Sequence, residues 1–114
     1  MTLPKLLILV VEMPLKLKEL SHPVKTFKKM VSLNGCDLII VPISKNEIDI
    51  YLLETPNTLT KHDGHWRQIM FMQEKKYEYQ GQKFSYFNLE QMNLEIMVNK
   101  LEKFFNLTII ECHT

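Results

Sequence analysis

The chain opens on a pattern that is neither alternating nor helical, because Leu6 to Val11 is an unbroken apolar run. A run of that length suits a central strand covered on both faces. The period then lengthens. Over residues 21–35, Val24, Phe27, Met30 and Val31 fall on one stripe, while Lys25, Lys28 and Lys29 fall off it, which is the mark of an amphipathic helix. Ser21 can cap its start, Pro23 fits the first turn, and Asn34-Gly35 supplies the stop. A helix near residues 22–34 with a lysine-rich outer face is expected.

"CDLIIVPIS" predicts a second strand, with Pro42 at an edge or a bulge because proline cannot donate to a ladder. "EIDIYLLE" predicts the returning strand, with Ile48, Ile50 and Leu52 on one face and Glu47, Asp49 and Tyr51 on the other. The polar stretch "TPNTLTKHDG" is a loop. Residues 65–87 suit a hairpin turning at Gln80-Gly81. A two-residue turn sets Tyr79 against Gln82, Glu78 against Lys83 and Tyr77 against Phe84, leaving Tyr77, Tyr79, Phe84 and Tyr86 on an aromatic face. Asn88 and Gln91 have the spacing of a capping box for a second helix near 89–105, whose stripe is Leu94, Met97, Val98, Leu101, Phe104 and Phe105. "LTIIEC" is the last strand.

The order is β-α-β-β-β-β-α-β. It predicts an α+β fold with a single, mostly antiparallel sheet and two helices on one face, the economical two-layer packing. A ferredoxin-like variant is one arrangement this order permits. At 114 residues, with no linker-like stretch, the expectation is a single domain spanning residues 1–114. The N-terminal apolar run is too short for a signal segment or a membrane span. Two cysteines, Cys36 and Cys112, make no disulfide framework, so reduced thiols in an intracellular, cytoplasmic setting are expected.

Composition narrows the function classes. Net charge is +1, which gives no long-range attraction to nucleic acid or membrane. The exception is local, with Lys16, Lys18, Lys25, Lys28 and Lys29 set against Glu19 alone between residues 14 and 33. Arg67 is the one arginine, and alanine is absent. That bias points to an A/T-rich coding genome, such as a low-GC bacterium, a phage or a virus.

The clustered titratable groups are His62, Asp63 and His65 in "KHDGHW". Asp63-Gly64 is a turn signal, and zinc needs three or four ligands. The favoured reading is a polar loop with Trp66 anchoring the next strand; no metal and no cofactor are expected. Cys36 follows a helix C-terminus, where the dipole disfavours a thiolate, and no nucleophile elbow or glycine-rich phosphate loop occurs.

By elimination, the sequence favours a small non-enzymatic protein-interaction domain, either homodimeric or within a complex and acting as an accessory or inhibitory factor. The seven methionines suit adaptable contacts. The alternative is a nucleic-acid-binding protein using the Lys16–Lys29 segment and the aromatic hairpin 75–87. Candidate binding residues for either are Lys25, Lys28, Lys29, Tyr77, Tyr79 and Tyr86. A histidine-dependent enzyme or metal protein around His62 and His65 ranks third.

Overall fold

The computed structural model describes residues 5–11, 23–29, 35–55, 75–104 and 108–113. The calls on Lys16, Lys18, His62, His65 and Trp66, and on the side chains of Lys29 and Cys112, lie outside the described residues.

The elements are β1 (Lys5–Val10), α1 (Pro23–Lys29), β2 (Leu38–Ser44), β3 (Glu47–Leu53), β4 (Lys75–Tyr79), β5 (Gln82–Glu90), α2 (Leu94–Phe104) and β6 (Thr108–His113). They form one α+β unit around a mixed six-stranded sheet of order β4-β5-β3-β2-β1-β6. The β4–β5, β5–β3 and β3–β2 pairs are antiparallel, and β2–β1 and β1–β6 are parallel. The element order is the one the periodicity predicts. The connectivity is not ferredoxin-like: β1 and β2 are direct neighbours, whereas a split β-α-β unit has a strand between them.

The helices do not share a face, which corrects the two-layer expectation. Ile8, Val10, Leu38, Ile40, Ile48, Ile50 and Leu52 bury one face of the sheet against Met97 and Leu101 of α2. Leu9, Val11, Ile39, Val41, Tyr51, Leu53 and Phe84 bury the other against Phe27 of α1. The strand order supplies the reason. The β1-α1-β2 crossover runs toward the β4 edge, and the β5-α2-β6 crossover, which also joins parallel strands, runs back past β3, β2 and β1. Right-handed connections running in opposite directions across a sheet place their helices on opposite faces. Tyr51 and Asp49, on the face opposite Ile48, Ile50 and Leu52 as the alternation predicts, are therefore buried too.

Local chemistry explains the irregular points. The register of β2 against β3 shifts between Pro42 and Ser44. Pro42 lies beyond Ile40, the last β2 residue paired with β1, so its missing N–H costs no bond on that side. The β4–β5 turn is Gln80-Gly81, both at positive φ (49° and 80°), the geometry whose twist matches a two-residue hairpin. The register Tyr79↔Gln82, Glu78↔Lys83 and Tyr77↔Phe84 is as the sequence predicts. The capping box is not. Asn88 remains in β5, and Asn93 caps α2, its Oδ1 accepting from the Ile96 N–H at 3.0 Å. Asp37 ties three strands at the other end. It accepts from the Leu7 N–H (3.0 Å) and the Thr55 hydroxyl (2.8 Å), while its own carbonyl takes the Leu53 N–H.

Candidate functional site

The residues the sequence singles out meet on the α1 face, at the β4 end of the sheet. Val24 and Phe27, three positions apart, form the inward stripe of α1. Phe27 is 2% exposed. Its ring stacks on Phe84 at 4.2 Å and meets Tyr79 edge-on at 6.4 Å. Tyr77 stacks on Phe84 at 5.7 Å, and Tyr51 sits 5.3 Å from Tyr86. Phe84 is fully buried, whereas Tyr77, Tyr79 and Tyr86 are half-buried and packed against this core. The aromatic face of the hairpin is thus mostly a docking surface for α1, not an open platform. Phe104, expected in the interior, is also half-buried, at the border of the other core.

The lysines remain in solvent. Lys25 and Lys28 are exposed, and so are Lys75 and Lys76 on the edge strand. The position of Thr26 fixes which way the helix lysines point. Thr26 is 2% exposed and hydrogen-bonds Tyr51 of β3, toward the middle of the sheet. At 100° per residue, Lys28 then lies about 160° from Thr26, on the flank turned away from the middle of the sheet, and Lys25 lies about 100° from it, on the outer side of α1.

A second, polar group lies deeper on this face, where β3 passes β5. Oδ1 of Asp49 accepts from the Tyr86 hydroxyl at 2.9 Å and from Nδ2 of Asn88 at 2.8 Å. Nδ2 of Asn88 also donates to Oε2 of Glu47 at 2.9 Å. One amide thus bridges two carboxylates. Burial raises the Asp49 carboxyl above its ordinary value; the Asn88 and Tyr86 bonds oppose that rise, and the Glu47 charge adds to it. Burial also raises the Tyr86 hydroxyl, helped by the Asp49 charge. Tyr86 therefore stays a proton donor to Asp49 at all physiological pH. The direct Asp49↔Asn88 and Tyr51↔Tyr86 register brings these residues together. Nothing local in the sequence signals that pairing, which is why the cluster is missing from the sequence reading.

Among the described residues, every buried side-chain nitrogen and oxygen has a hydrogen-bond partner. The Asp49 cluster is a hydrogen-bonded brace between β3 and β5. Among the described residues, no three His, Cys, Asp or Glu side chains are grouped to hold a metal, and no helix is long and apolar enough to cross a membrane. Comparison with protein-family models, curated proteins and solved structures finds no match.

Proposed function

We propose that the chain is a small protein-interaction domain whose contact surface is the corner formed by α1 and the edge strand β4. The observation that supports this reading most directly is the meeting of two segments far apart in sequence. α1, with exposed Lys25 and Lys28, packs through Phe27 on Tyr79 of β4, the outermost described strand, which bears Lys75, Lys76 and half-buried tyrosines. An intracellular location, a homodimeric form and an accessory or inhibitory role belong to the same proposal.

The same meeting of lysines and tyrosines favours one alternative, single-stranded nucleic acid. Lysines would track phosphates while rings stack on bases. Against it, Tyr77 and Tyr79 already pack against Phe84 and Phe27, and lysine lacks the bidentate fork of arginine.

A nuclease-treated pull-down from the native source, run beside oligonucleotide filter binding at low salt, separates the two. The expected result is a recovered protein partner and no oligonucleotide retention. Retention that falls steeply with salt and vanishes in the Lys25/Lys28/Lys29→Glu protein, with the fold intact, would replace the proposal with the alternative.

A further inference from the structure

We draw no further inference here: the strongest candidate, the Glu47–Asn88–Asp49 side-chain cluster between β3 and β5, is bonded within the sheet, and nothing among the described residues shows what covers it or points to a ligand there.

Discussion

Asp49 is the residue whose environment departs most from what its neighbours in sequence imply. By alternation it shares a face with Glu47 and Tyr51, and as a carboxylate it is unusually buried, at 7% exposed. Its folded-state carboxyl titrates above the ordinary 3.8 because burial disfavours the charge. The folded chain then holds this proton more tightly than the unfolded chain. The stability it contributes is fully present below about pH 4 and is lost as pH rises through the folded-state value. Asn at this position keeps an oxygen to accept from Tyr86 and Asn88 but carries no charge. Asp49→Asn should therefore gain stability relative to the parent between pH 4 and pH 7 in urea melts. A difference that is constant over that range, or that moves against the variant, would show that burial does not control this carboxyl. The sequence hides this residue because its partners, Tyr86 and Asn88, come from β5, about forty positions away.

Single elements were legible wherever their cause is local. The β4–β5 turn rests on Gly81 and its neighbour, and hydrophobic alternation sets the register beyond it. α1 shows in the Val24–Phe27 spacing and the proline at its start. α2 starts later than its spacing predicts because two asparagines compete for the cap. Asn88 has glutamine three positions later, which suits a capping box, but its side chain is engaged by Asp49 and Glu47. Asn93 takes the role, its carbonyl accepting from the Met97 N–H and its side chain from the Ile96 N–H. Asn93→Ala should cost about 1 kcal/mol, the usual loss for a cap. Asn88→Ala should act through its bond to Asp49 instead, with a cost that falls as Asp49 is protonated. If Asn88→Ala shortened α2 by circular dichroism and Asn93→Ala did not, this account of the two asparagines would be reversed.

Across the whole molecule, the sequence carries the element order but not the strand order, and the strand order decides the layers. One hint was available. The run Leu6–Val11 is apolar at every position, which suits a strand covered on both faces, and Ile8 and Val10 indeed serve one core while Leu9 and Val11 serve the other. β2 and β3 are shared in the same way, through Ile40 against Ile39 and Ile50 against Tyr51. The two cores are thus opposite sides of one backbone, and shifting these strands to suit one face displaces every side chain on the other. Phe27→Ala strips the α1 side and Met97→Ala the α2 side. Each should cost about 2–5 kcal/mol, the range for truncating a buried large side chain. Because the strands are common to both, each variant should still unfold in a single transition, with near- and far-ultraviolet circular dichroism coinciding along the denaturant curve. Separate transitions, with Phe27→Ala moving one and Met97→Ala the other, would mean that the faces melt independently and that the shared strands do not couple them.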